Sequence, residues 1–588
     1  GCVAASDGGA IEAVHADVGI SASTFTANVA GRGGAVAADN AAVAVAGTVF
    51  TANVADPTYG LGGGMYATAA DVTVTGGSFD GNSAERGGGA WLDAAAGVFD
   101  WVSFDDNTAE TEGSGVATTE ATIWVNGSRF DANTVPVAAD PAFGGAIDCR
   151  WPASCFVDRS WFEGNVAPDG GAISSDGELG VTRSMFCANE ATSDGGAIDV
   201  GNLVYGGPVT IAASVFAENH AAADGGAVVV TDGVVELLGD HFVGNEASRG
   251  GAVGSATLGG LEGLTLRNVL VAGNRGLPAV GIAGVWSNES WDWFWDNGAV
   301  DLDVPASPTT NLGEDPELAG PNGCDPASLA PTASSPLIDG GDPQWTDPNG
   351  SRADIGAFGG PDADYDAFLD LDGDGDPGML DCDDRDPAVS VGAVEVCNGI
   401  DDDCDGLVDA DDRATDAGWL HRDDDGDGYG TWDSAYRCPG PGWATPFTDC
   451  DDAAQDVHPL ADDVAGDGFD ADCDGEDTPD PDPTTTGPGG TTDPATDPAD
   501  PSADSDGDGV LDGAERPDAA ADPGGTGVGD PPSAPVLCGC DVGEGPGASG
   551  WVAGLAGLAA LGRRPGRRSR STGRGDRRAR QQVTASGG

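Results

Sequence analysis

Short runs in which apolar and polar residues alternate recur through the first half of the chain. Val72-Thr73-Val74 and Val209-Thr210-Ile211 are two of them. Alternation of this kind, rich in β-branched side chains, predicts strands rather than helices. Each run has a fixed place in a larger unit. A Gly-Gly-Ala-Ile or a close variant begins at Gly8, Gly33, Gly87, Gly144, Gly170, Gly195, Gly225 and Gly250. A Phe-x-x-Asn follows, with pairs Phe25/Asn28, Phe50/Asn53, Phe79/Asn82, Phe104/Asn107, Phe130/Asn133, Phe162/Asn165, Phe186/Asn189, Phe216/Asn219 and Phe242/Asn245. Successive Phe residues lie about 24 to 32 positions apart, the period of a stacked solenoid.

Short strands at that period predict an all-β fold, a right-handed parallel β-helix. Gly-Gly permits the sharp turn between faces of a coil. Phe at constant phase fills the interior by stacking on its copies, and Asn at constant phase forms an amide ladder. About a dozen coils at ~4.8 Å each would give a rod roughly 60 Å long. These residues are read as scaffold.

The paired Gly-Gly-Ala-Ile and Phe-x-x-Asn pattern, over roughly residues 8 to 274, resembles the repeat of chlamydial polymorphic outer-membrane proteins. The resemblance implies a surface-displayed, adhesin-like β-helix. Asp315-Pro316-Glu317-Leu318, Ser335-Pro336-Leu337-Ile338-Asp339-Gly340-Gly341 and Ala353-Asp354-Ile355-Gly356-Ala357-Phe358-Gly359-Gly360 resemble the closing coils of secreted bacterial β-helix proteins. The rod is therefore expected to occupy residues 1–360, since an open coil exposes strand edges.

Net charge narrows the partners. The 588 residues carry a formal charge of −75, and every basic side chain is arginine. Nucleic-acid binding needs a basic footprint and is not expected; an exported, cation-binding protein is. The chain begins at Gly1, with no signal peptide visible.

Much of the acid is organised. From about residue 361 to 477 the apolar periodicity gives way to Asp clusters. Asp370, Asp372 and Asp374 stand at positions 1, 3 and 5 of a calcium loop, Gly375 at the turn, Asp376 as a carbonyl donor and Asp381 at position 12. Hard oxygen donors at alternate residues are what Ca²⁺ requires. A second loop has Asp423, Asp425, Asp427 and Gly428, but Ser434 at position 12, so its closing ligand is missing or comes from elsewhere. A third, residues 504–515, is complete: Asp504, Asp506, Asp508, the Val510 carbonyl and Glu515. Asp-Gly runs can instead be solvated acid tracts, but here spacing and Gly position agree each time. His is scarce, so transition metals are less well suited.

Cys382, Cys397, Cys404, Cys438, Cys450 and Cys473 fall in the same region, where a small acidic module with little core needs staples. They lie in two related blocks. One runs Asp381-Cys382-Asp383-Asp384 to Glu395-Val396-Cys397-Asn398-Gly399-Ile400-Asp401-Asp402-Asp403-Cys404-Asp405-Gly406. The other runs Asp449-Cys450-Asp451-Asp452 to Asp470-Ala471-Asp472-Cys473-Asp474-Gly475. Both resemble the metal-binding motif of secreted bacterial proteins named after the surface protein MopE; the second departs from it at Gly466, where Cys397 would align. Aligned this way, the blocks imply Cys382–Cys404 and Cys450–Cys473, leaving Cys397 for Cys438, one of about 15 pairings that six cysteines allow. A zinc cluster competes, but no Cys-x-x-Cys appears in this region. Cys149 and Cys155 are expected to clip a side loop; Cys2, Cys187 and Cys324 have no assigned partner.

Residues 478–503 and 516–537 are Pro-, Thr-, Asp-, Gly- and Ala-rich and read as disordered linkers. In residues 538–588, Cys538-Gly539-Cys540 precedes a Gly-broken apolar run and an arginine cluster from Arg563. That order resembles the MYXO-CTERM sorting signal of myxobacteria, which implies processing near Cys538 and Cys540 and retention at the surface. A plain uncleaved membrane anchor is the alternative.

Carboxylates on the rod are candidate catalytic groups, because β-helices also carry polysaccharide lyases and hydrolases. Asp148, Asp176, Asp199, Asp232 and Glu236 are candidates. Asp148 and Asp199 recur at equivalent repeat positions, which favours an exposed, solvated edge over a catalytic pair. Trp286, Trp291, Trp293 and Trp295 are expected to cover an end of the rod rather than stack sugars. The reading is a non-catalytic, calcium-binding, adhesin-like rod at the cell surface or outer membrane, or released from it. It would bind a glycan or a surface protein and be anchored by its C-terminal segment. A secreted lyase or hydrolase is the alternative.

Overall fold

The computed structural model describes residues 1–475 apart from 137–143, 202–206, 232, 255–260, 279, 282–286, 299–310, 321–322, 392, 413 and 465–467. The third calcium loop (Asp504, Asp506, Asp508, Val510, Glu515), both linkers, Cys538 and Cys540 lie outside the described residues, as do Asp232 and Trp286.

The alternating runs form a parallel β-solenoid with three long sheets. Eleven strands, from Ile11–Val14 to Val280–Gly281, make the first. Eleven more, from Val18–Ser21 to Ser287–Ser290, make the second, and twelve, from Thr24–Thr26 to Asn311–Leu312, the third. Each strand pairs in parallel with its copy one coil on, so Phe50 meets Phe79 and Phe79 meets Phe104 in register. Shorter four- and three-stranded sheets line the remaining edge.

In-register stacking multiplies the effect of every repeat position. The Phe rings form one interior column, with centroids 4.7 Å apart at Phe162–Phe186 and again at Phe186–Phe216. Offset stacking and burial both favour this arrangement. The Asn side chains form a buried ladder. Asn189 Nδ2 donates to Asn219 Oδ1 at 2.9 Å and to the Phe162 carbonyl at 3.0 Å. The ladder runs on to Asn274 and Asn297, beyond the last Phe-x-x-Asn pair recognised in the sequence. The first Gly of each pair turns the chain at positive φ (62° at Gly170), and a Cβ on the second, Gly171, would collide with the carbonyl of Gly196 one coil on.

Residues 315–360, expected as closing coils, add no rung after Asn311–Leu312. They form a strap that runs back along the outside of the third sheet. Leu329, Leu337, Ile355, Phe358 and, further on, Phe368 and Met379 bury against Met185, Val215, Val243, Leu270 and Trp293. The reason is compositional: from Trp161 onward most of the outward side chains beside the Phe column are apolar and need cover. The strap is pinned by the Cys187–Cys324 disulfide, by Arg267–Asp342 at 2.7 Å, by Arg159–Asp364, and by Ala357 N–H donating to His241 Nδ1 at 2.7 Å. Trp293 and Trp295 therefore pack beneath the strap, and Trp291 lies under the guanidinium of Arg352.

Candidate metal centre

Beyond the strap, short turns replace regular structure, apart from a small antiparallel sheet of Gly418–Arg422, Ser434–Arg437 and Trp443–Ala444. Asp370 organises the first loop. Its Oδ1 accepts from Gly373 N–H at 2.6 Å and its Oδ2 from Gly375 N–H at 3.1 Å. Asp372 and Asp374 each tie one oxygen to a backbone N–H two residues on. Their other oxygens turn inward. Asp372, Asp374 and Asp381 bring ligand atoms within 4.8 Å of one another, as do Asp370, Asp372 and Asp384. The Oδ2 atoms of Asp372, Asp374, Asp381 and Asp384 are buried with no hydrogen-bond partner. Each such oxygen costs about 1–3 kcal/mol or more, and four together fit a bound cation. Burial, reinforced by the charges of Asp374, Asp372 and Asp384, pushes Asp381 up to about 6. Asp376 follows at the carbonyl position, and burial pushes its own carboxyl up.

The second loop repeats this construction. Asp423 accepts from Gly426 N–H at 2.7 Å and from Gly428 N–H at 3.2 Å. The inward Oδ2 atoms of Asp425 and Asp427 are buried without partners, and so is that of Asp449. Ser434, at the formal closing position, sits instead in a strand of the small sheet. Asp449 faces these carboxylates instead: burial, then the charges of Asp427 and Asp425, pushes it up. Asp452 Oδ1 accepts from Asp424 N–H at 2.7 Å, just as Asp384 Oδ1 accepts from Leu371 N–H at 2.8 Å. An Asp-Cys-Asp-Asp tetrad thus closes both loops, by a short connection in one and a long one in the other.

Two further loops wrap in the same way within the Cys blocks. Asp401 accepts from Asp405 N–H at 3.1 Å and from Gly406 N–H at 2.9 Å. Asp470 does the same for Asp474 at 3.2 Å and Gly475 at 3.0 Å. Glu395, Asp401 and Asp403 also bring ligand atoms within 4.8 Å. Burial first, then Asp405, Asp412 and Asp401, pushes Asp403 up to about 7. The signal was present in the sequence: Asp401, Asp403, Asp405, Gly406 and Asp412 keep calcium-loop spacing, masked by the cysteine pattern. Disulfides Cys382–Cys404 and Cys450–Cys473 tie each closing tetrad to the neighbouring loop, and Cys397–Cys438 joins the halves.

Residues 381–410 and 449–478 match one family model. Its description reads "Putative metal-binding motif", and its name refers to copper binding and to MopE. The matched segments contain both closing tetrads, together with Asp401 to Gly406 and Asp470 to Gly475; Asp412 and the Asp370 and Asp423 loops lie outside them. No curated protein and no solved structure matches the chain.

The rod's carboxylates differ from expectation. Asp148 and Asp199, read as an exposed edge, are 1% and 8% exposed. Outward side chains at this position are tucked against the turn glycines of the Gly-Gly corner. Asp148 is paired with Arg150 at 2.9 Å, yet burial still pushes it up to about 7. Burial, then Asp169 and Asp194, raises Asp199 well above the usual carboxylate range. Asp176 is half-buried and accepts from Trp151 N–H, and Glu236 is exposed on the second sheet. Cys149–Cys155 closes the corner around Trp151 with both cysteines inside the core.

Proposed function

We propose that this chain is a non-catalytic, calcium-stabilised β-helical protein that displays its rod at a bacterial surface as an adhesin-like binder of glycan or protein. The observation that carries the cation reading is the set of buried, unpartnered carboxylate oxygens in the Asp370 and Asp423 loops. Their donors are hard oxygens, which suit Ca²⁺. Copper favours thiolate or imidazole. The module's six cysteines are in disulfides, and His421 and His458 are engaged with the Thr431 carbonyl and the Tyr429 ring. Burial of Asp148 and Asp199 removes them from the reach of a polymer substrate and disfavours a lyase or hydrolase. The Cys538–Cys540 segment is proposed to hold the protein at the surface.

Titration calorimetry of the full chain tests the cation. More than one Ca²⁺ site is expected, with Kd of roughly 10⁻⁴ M, as in extracellular modules. Copper binding with no calcium heat would refute the assignment. Glycan-array binding beside a polysaccharide-degradation assay separates display from catalysis.

A further inference from the structure

The corner between the second and third sheets is left-handed in every described coil, and the residue there varies. Ala22, Trp101, Arg159, Ala213 and Trp291 all occupy it at φ between 41° and 62°. L side chains are therefore tolerated at this corner. Glycine occupies it at Gly47, Gly76, Gly127 and Gly239; a Cβ on Gly127 would press on the Trp101 ring, whereas Gly47 and Gly76 face the acidic module. A Cβ on Gly47 would overlap the Asp405 carboxylate and come within 2.7 Å of Leu407 Cδ1. A Cβ on Gly76 would overlap the Asp405 backbone, and one on Gly406 would lie 2.6 Å from Thr75 Cγ2. The tip of the Asp401 loop is thus seated on two rungs near the start of the rod.

We propose that this seat is a cation-dependent latch: the metal-loaded Asp401 loop docks the acidic module on the Gly47–Gly76 corner, and chelation releases it while the strap stays bound. The proposal rests on the cation reading above. Glu395, Asp401 and Asp403 bring ligand atoms within 4.8 Å of one another, the charge of Asp405 acts on Asp403, and no ion pair among the described residues reaches Asp401, Asp403 or Asp405. Like charges held this close repel unless a cation neutralises them. Without one, that repulsion is expected to loosen the tip and lift it from between Gly47 and Gly76. The strap, by contrast, is held by apolar burial, a disulfide and arginine pairs, none of which needs a metal.

Hydroxyl-radical footprinting of the full chain reads the latch at Leu407, with calorimetry run in parallel. In wild type, chelation is expected to raise labelling of Leu407 several-fold and to leave strap residues Leu337 and Phe368 unchanged. Gly76→Ala should show the high labelling even in saturating Ca²⁺, with wild-type calcium stoichiometry. Ala22 and Ala213 at the equivalent corner indicate that this variant folds; Gly47→Ala provides an independent repeat. If wild type binds Ca²⁺ yet Leu407 labelling ignores chelator, the latch is wrong and the cation reading stands. Low Leu407 labelling in both calcium-loaded variants also overturns it. If wild type binds no Ca²⁺, the cation reading itself has failed.

Discussion

Replacing Asn189 by Ala should be among the most damaging single changes in the rod. Asn189 is fully buried. Its Oδ1 accepts from Asn165 N–H at 3.1 Å and Asn165 Nδ2 at 2.9 Å. Its Nδ2 donates to Asn219 Oδ1 and the Phe162 carbonyl, while its own N–H also donates to Asn219 Oδ1 at 3.0 Å. Alanine keeps only that last bond. Two donors on Asn165 are left buried without an acceptor, and the Phe162 carbonyl loses a donor. At about 1–3 kcal/mol for each stranded group, plus a small cavity, the cost is about 3–6 kcal/mol. Asn189→Asp keeps the acceptor but sets oxygen against the Phe162 carbonyl and Asn219 Oδ1 and buries a charge. It should cost at least as much at neutral pH and less once the carboxyl is protonated. Solenoid coupling is nearest-neighbour, so hydrogen exchange is the fitting assay. Protection should fall in the coils of Asn165, Asn189 and Asn219 and persist around Phe50 and Phe79. A loss below about 1 kcal/mol, far under the stranded-donor cost, would refute the reasoning, as would equal loss along the whole rod.

His241 is buried, and burial holds its imidazole down to about 3. Below its usual range the unfolded chain takes up a proton that the folded one does not, so stability falls as pH drops from about 6.5 toward 3, by up to about 1.4 kcal/mol per pH unit. Chemical denaturation should show that slope reduced in His241→Gln, which retains an acceptor for Ala357 N–H; an unchanged slope would assign the acid sensitivity elsewhere. Asp199 titrates in the opposite sense: its raised folded value means stability is lost as pH rises through that value. Asp199→Asn should therefore raise Tm at pH 8 and leave it nearly unchanged at pH 3.5, and a loss at pH 8 would show that the carboxylate has a stabilising partner. Asp449→Asn should weaken or abolish one calcium site in calorimetry, whereas Ser434→Ala should leave every site intact; the reverse result would restore Ser434 as the closing ligand.

By itself the sequence determined the solenoid, the interior Phe column, the Asn ladder and the alternating-Asp loops. Each depends on contacts between equivalent positions of neighbouring coils or within about a dozen residues, and a period repeats that information many times. Only the tertiary structure decided which groups cover which. The strap could have been sought from the residues beside Phe, which change from Ser78 and Asp80 or Ser103 and Asp105 to Met185 and Cys187 or Val215 and Ala217. That change says cover is needed, not what supplies it. The placing of Asp449 beside the Asp423 loop depends on a long connection bringing a tetrad back to it, and no local spacing encodes its length. Asp148 and Asp199 have the outward phase of solvated residues, yet the packed Gly-Gly corner excludes water from them. Periodicity fixes the direction a side chain leaves the backbone; whether it meets water, a cation or another segment is set by chain that is distant in sequence.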